Sequence, residues 1–102
     1  MNAPTNFTRI INGKRYSVET STLIAHDAYF DGHNFERYGR NRFLYRTPAG
    51  RYFVVTLTQW QGERDTLVPI SRDKAIALYE GPLTEHAVRY EEAFPDVTVV
   101  DA

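Results

Sequence analysis

The sequence predicts an α+β domain: one antiparallel sheet of four or five strands, with two or three short helices packed on one face. Three observations predict it. Residues 7–18 carry a hairpin signature around Asn12-Gly13, residues 51–59 (RYFVVTLTQ) are apolar at successive positions, and residues 72–80 follow a helix-capping Ser71. A length of 102 residues implies a single domain over 1–102. With 42% hydrophobic and 14% aromatic residues the chain has the bulk for a core, so disorder is excluded as its main character.

Residues 1–6 are polar and are expected to fray. Asn12-Gly13 suits a two-residue type I′ turn, which needs positive φ at both central positions, and so joins strands at 7–11 and 14–18. Residues 19–29 offer Thr20, Ser21 and Thr22 as caps, and the spacing of Leu23, Ile24, Ala25 and Ala28 fits a short helical stripe. Residues 30–41 hold two Gly and two Asn and read as a loop, with room for a short strand at 35–38. Strands at 42–47 and 51–59 flank Pro48-Ala49-Gly50, where Pro presets a turn and Gly supplies positive φ. The second of these is apolar on both faces, the mark of a central strand.

Trp60 and a polar turn at 61–65 lead to a strand at 66–70, which Pro69 assigns to an edge or a strand end. The helix at 72–80 carries Ala75, Ile76 and Tyr79 on its apolar side and stops at Gly81-Pro82. Leu83, Ala87, Tyr90 and Phe94 recur at helical spacing, predicting a last helix that begins near Thr84 and ends at Pro95. Residues 97–100 read as an edge strand or a fraying end. Helices confined to one face leave the other face to solvent or to a partner.

Composition and motifs narrow the function classes. The absence of cysteine excludes disulfides, thiolate metal sites and Cys nucleophiles, and is compatible with a reducing cytoplasm. No basic-then-apolar leader opens the chain, and no apolar run approaches the about 20 residues of a spanning helix, so no membrane association is expected. The sequence contains no GxSxG elbow, no GxxxxGK phosphate loop, no GxGxxG and no HExxH. His26, Asp31 and His33 lie close together and have the chemistry to hold a divalent cation; the plainer reading is a polar loop with solvated imidazoles. Glu91 and Glu92 are adjacent, so on a helix they diverge and make no facing acid–base pair. No catalytic residue, cofactor-binding residue or resident metal is therefore expected.

Charge placement is more informative. Residues 35–53 hold Arg37, Arg40, Arg42, Arg46 and Arg51 against Glu36 alone, interleaved with Phe35, Tyr38, Phe43, Tyr45, Tyr52 and Phe53. Arg presents a planar fork to phosphate or carboxylate, and aromatic rings stack on bases or guanidinium groups. Arg37, Tyr38, Arg40, Arg42, Tyr45, Arg46, Arg51 and Trp60 therefore form a candidate basic and aromatic interaction set. Strand alternation offers a competing account: Phe43 and Tyr45 point into a core while Arg42 and Arg46 are simply solvated. The net charge of −1 conceals +4 over residues 1–79 and −5 over residues 80–102. Glu85, Glu91, Glu92 and Asp96 form the candidate acidic set, suited to a cationic groove that normally holds nucleic acid, or to internal compensation of the Arg-rich strands.

The stretch IINGKRYSVETSTLIA (residues 10–25) resembles a small family of bacterial, phage and plasmid proteins whose members open with IINGKRYDTETA or a close variant. LYRTPAGRYF (44–53) and LVPISRDKA (67–75) are similar to the same family, and together the matches cover most of the chain. Ser17 and Val18 stand where that pattern has Asp-Thr, and the stretch between Phe53 and Thr66 is shorter and less Gly-rich. The resemblance implies no enzyme activity and transfers no catalytic residue. It implies a mobile-element setting, in which small domains of mixed charge inhibit host defence complexes by binding them. The leading expectation is thus a non-enzymatic protein-interaction module, an anti-CRISPR-like inhibitor whose partner is a protein such as a CRISPR effector subunit. Direct nucleic-acid binding through the Arg/Tyr strands is the alternative, and a small metal-dependent enzyme a distant third. The aromatic excess also leaves room for a homodimer interface.

Overall fold

The computed structural model describes residues 3–28 and 39–102. Its elements, in order, are β1 (Thr8–Ile11), β2 (Lys14–Ser17), a 3-10 turn (Val18–Thr20), β3 (Thr22–His26), β4 (Arg40–Arg46), β5 (Tyr52–Thr58), β6 (Thr66–Ile70), α1 (Arg72–Glu80), β7 (Glu85–His86) and α2 (Tyr90–Ala93). The protein is α+β, with a five-stranded antiparallel sheet in the order β6-β5-β4-β3-β7. The β1-β2 hairpin is a separate two-stranded sheet, so the expected single sheet is two. Its turn has φ of 53° at Asn12 and 75° at Gly13, as a type I′ turn requires.

Strand alternation divides the core in two. Leu44, Tyr52 and Val54 face α1 and the C-terminal segment, where they meet Ala75, Tyr79, Leu83, Ala93 and Phe94. Phe43, Tyr45, Phe53, Val55 and Leu67 face the hairpin and pack with Tyr16 and Val18. The face expected to be left to solvent or a partner is therefore roofed by β1-β2. The central position of β5 explains its burial on both faces.

Two expected helices are absent. The segment read as a helix over 19–29 is a 3-10 turn followed by β3. Its misleading spacing has a physical source: the register with β4 shifts between Leu23 and Ala25. This irregularity places both Ile24 and Ala25 in the helix-side core, whereas strict alternation would separate them. The helix expected from Thr84 is instead the short β7, a bend and one helical turn. Ala87, placed by the sequence on the apolar stripe, is exposed, while its N–H donates to Ile24 O at 2.8 Å. No strand forms at 97–100.

Tyrosine hydroxyls fasten the C-terminal segment. Tyr52 Oη donates to Ala93 O at 2.8 Å, and Tyr79 Oη donates to Val88 O at 2.7 Å. His86 Nε2 lies 2.7 Å from Tyr79 O, and its ring stacks on that of Tyr79 at 3.7 Å. The outer strand β6 contains Pro69, which has no N–H, and its Leu67 carbonyl accepts from Arg9 Nη1 at 3.1 Å. Among the described residues no helix is long and apolar enough to cross a membrane.

Tyr52→Phe keeps the ring and removes the bond to Ala93 O. Because that site is buried, we expect a loss of about 1–2 kcal/mol in urea unfolding followed by far-UV circular dichroism. A variant as stable as the parent refutes the fastening role.

Candidate interaction surfaces

The Arg-rich set does not form one surface. Arg37 and Tyr38 lie outside the described residues. Arg40, at the start of β4, donates from Nε to Glu63 Oε1 at 3.0 Å and from Nη2 to Glu63 Oε2. Its guanidinium carbon lies 5.9 Å from the Trp60 ring centroid, within cation–π range. Thr58 Oγ1 also donates to Glu63 and accepts from Trp60 N at 3.1 Å. These donors hold the Glu63 carboxyl below the ordinary glutamate range, Arg40 being the larger cause, while the bond to Glu63 raises Arg40. Trp60 is 54% exposed, so the clamp presents a large aromatic ring at the surface. At Gly39, with φ of +83°, a Cβ would sit 2.9 Å from Trp60 Nε1, so only glycine admits this close approach without displacing the indole.

Arg42 is committed elsewhere. Asp27, nearly fully buried, accepts from Arg42 N at 2.8 Å and from Asn41 Nδ2 at 3.3 Å, and its second oxygen lies 3.7 Å from Arg42 Nε. The sequence reading did not single out Asp27; an acid two positions after the apolar run 23–25 was the signal available. Tyr45 is buried and stacks on Phe53 at 5.2 Å, with burial pushing its hydroxyl up to about 12. It therefore offers no ring to a base or a partner. Arg46 lies under the 47–50 turn, Nη2 being 3.3 Å from the Cβ position of Gly50, and its buried Nε has no hydrogen-bond partner. Arg51 is exposed beside that turn.

The acidic set is likewise spread over separate backbone segments rather than one helix. Glu85 is on β7, Glu91 and Glu92 are in the first turn of α2, and Asp96 follows it. Glu92 accepts from Arg89 at 3.1 Å, and Asp96 pairs with Arg72, whose guanidinium holds the Asp96 carboxyl below its usual range. Internal compensation thus occupies part of this set.

His26 Nδ1 accepts from Ala28 N at 3.2 Å and its ring lies 5.6 Å from Phe43; Asp31 and His33 lie outside the described residues. Among the described residues no group of three or more His, Asp or Glu side chains is arranged to hold a metal ion. A feature missed by the sequence reading is an open cleft of about 340 Å³ between the β1-β2 hairpin and the β4–β5 turn, lined by Lys14, Arg15, Tyr16, Thr47, Pro48, Ala49 and Arg51. Comparison with protein-family models, with curated proteins and with solved structures finds no match to this chain.

The Glu63 clamp makes a pH prediction. An unfolded-state glutamate titrates near about pH 4.3, and the folded carboxyl titrates lower. The clamp's contribution is therefore complete above about pH 4.3 and is lost as pH falls through the lower folded value. Trp60, the one tryptophan, should report this as a fluorescence change centred below the ordinary glutamate value, moving upward in Arg40→Ala. A wild-type midpoint at or above that value counts against the clamp.

Proposed function

We propose that this protein is a non-enzymatic protein-interaction module, an anti-CRISPR-like inhibitor that binds a nucleic-acid-handling defence complex in the cytoplasm of a bacterial host. The observation that carries the reading is Trp60: a half-exposed indole with Arg40 over its ring and Arg40 in turn gripped by Glu63. Trp and Arg are the residue types that most often dominate binding energy, and holding them in place beforehand lowers the ordering cost of association. The mobile-element setting implied by the resemblance supplies the class of partner, a CRISPR effector subunit being the concrete version. Direct nucleic-acid binding through the strands has less support, because Tyr45 is buried and both Arg40 and Arg42 already hold carboxylates.

The test is a pull-down from lysate of a host carrying an active defence system, with the recovered complex then titrated by calorimetry. The wild-type chain should retain a defence-complex subunit at micromolar concentration. Trp60→Ala should weaken that binding by about tenfold or more while leaving the melting temperature unchanged. Recovery of no stable partner, or equal binding by the variant, overturns the reading.

A further inference from the structure

The β1-β2 hairpin is a surface distinct from the Trp60 clamp and from strands β4 and β5. Residues 7–18 hold Arg9, Lys14 and Arg15 and neither Asp nor Glu. These cations are exposed, and none pairs with a carboxylate among the described residues. The acidic C-terminal segment packs through Ala93 and Phe94 into the helix-side core, whereas the hairpin covers the other face of the sheet. The sheet therefore stands between a basic hairpin and an acidic segment. A charge distribution of this kind steers a polyanion toward the hairpin and away from the opposite face.

The hairpin is a ribbon formed in advance of any contact. Tyr16 meets Phe53 edge-on at 5.8 Å and Arg9 Nη1 donates to Leu67 O at 3.1 Å, so the ribbon is fixed to the sheet. Its tip is free, because a Cβ added at Gly13 would meet nothing within 4 Å. Neither strand joins the five-stranded sheet. The register pairs Thr8 with Ser17 and Ile10 with Arg15, which places these residues on the outward face, opposite the core-facing Tyr16. Thr8 Oγ1 donates to Ser17 Oγ at 3.1 Å across that face, and Ile10 on the same face is 65% exposed. Lys14 lies on the other side with Ile11, yet is exposed beside the turn.

The chemistry of the occupant follows from this layout. Lys14 and Arg15 are neighbours on β2 that point to opposite sides, so a small anion held by one lies away from the other. A polyanion running past the ribbon offers each cation its own phosphate. Paired strands lie about 4.8 Å apart, and the major groove of B-form DNA, about 12 Å wide, admits a two-stranded ribbon. Duplex RNA has a deep, narrow major groove that side chains do not read. The outward face carries residue types that suit base edges: Arg15 for guanine, and the methyl groups of Thr8 and Ile10 for that of thymine. It presents no Trp or Tyr of the kind that anchors protein interfaces, since Tyr16 is buried. We infer that the β1-β2 hairpin is a docking element for duplex DNA, with Thr8, Ile10 and Arg15 facing the major groove and Arg9 and Lys14 meeting the flanking phosphates.

The inference does not rest on the partner proposed for Trp60. It is tested by fluorescence anisotropy of a labelled DNA duplex of mixed sequence, titrated with the full chain at several salt concentrations. The expected dissociation constant is about 1–100 µM at about 50 mM salt, and log K should fall against log salt with a slope of about −2 to −3, as two or three phosphate contacts require. Amide 15N shifts on adding the duplex should map to residues 8–15. The double variant Lys14→Ala, Arg15→Ala should bind about tenfold or more weakly, with a shallower salt slope. Both positions are exposed, so the melting temperature should not move. Arg64→Ala removes an exposed cation outside the hairpin and should bind as the wild type does, which separates a local site from net charge. Duplex RNA should bind more weakly, and polyglutamate should not displace the DNA. No saturable DNA binding, equal affinity for duplex RNA, displacement by polyglutamate, undiminished binding by the double variant, or an equal loss in Arg64→Ala overturns the inference.

Discussion

The constraint from which the architecture follows is that β5 is apolar on both faces. Tyr52, Phe53, Val54 and Val55 are all buried, so neither side of the sheet can be left wet. A chain of 102 residues must then build two cores, one under the hairpin and one under the helices, from a limited stock of apolar side chains. Aromatic residues meet this demand because each buries a large area. Tyr45 stacks with Phe53 on one side, and Tyr52, Tyr79, Tyr90 and Phe94 form a ring cluster on the other. The hydroxyls of Tyr52 and Tyr79 that come with this choice donate to backbone carbonyls, and this helps hold a C-terminal segment with little regular structure of its own.

The same constraint decides what reaches the surface. With both faces covered, a cation on a central strand can escape only at a strand end or by pairing. Arg42 pairs with Asp27, Arg40 emerges at the end of β4 beside Trp60, and Arg51 emerges at the opposite turn. Two exposed cations, Arg40 and Arg51, are thereby placed at opposite ends of the sheet. The negative character of residues 80–102 is partly consumed where Asp96 meets Arg72.

What was legible in the sequence was what is local. The hairpin turn needs only Asn12-Gly13, β6 occupies 66–70 as read, and α1 occupies 72–80 because Ser71 caps it by accepting from Lys74 N at 3.2 Å. The misread segments have nonlocal causes. The irregularity in β3 breaks the alternation that marks a strand, and its shift exists only in register with β4. Leu83 and Phe94 are buried as a helix would have them, yet the chain between them is tied to Ile24, remote in sequence, and to Tyr79 of the preceding helix. Trp60 and Arg40 were legible as residue types, but their clamp was not. The cleft was hidden altogether, because its lining comes from the hairpin and from the β4–β5 turn, which are remote in sequence and adjoin only in the folded chain.

The borders of the five-stranded sheet carry a further consequence. On one side Pro69 removes a donor from β6 and Arg9 occupies the Leu67 carbonyl; on the other, β7 spans two residues, Glu85–His86. Neither border presents the long run of unused donors and acceptors on which a neighbouring chain could polymerise. The sheet is thus self-limiting. At high concentration its backbone therefore gives a neighbouring chain little to extend.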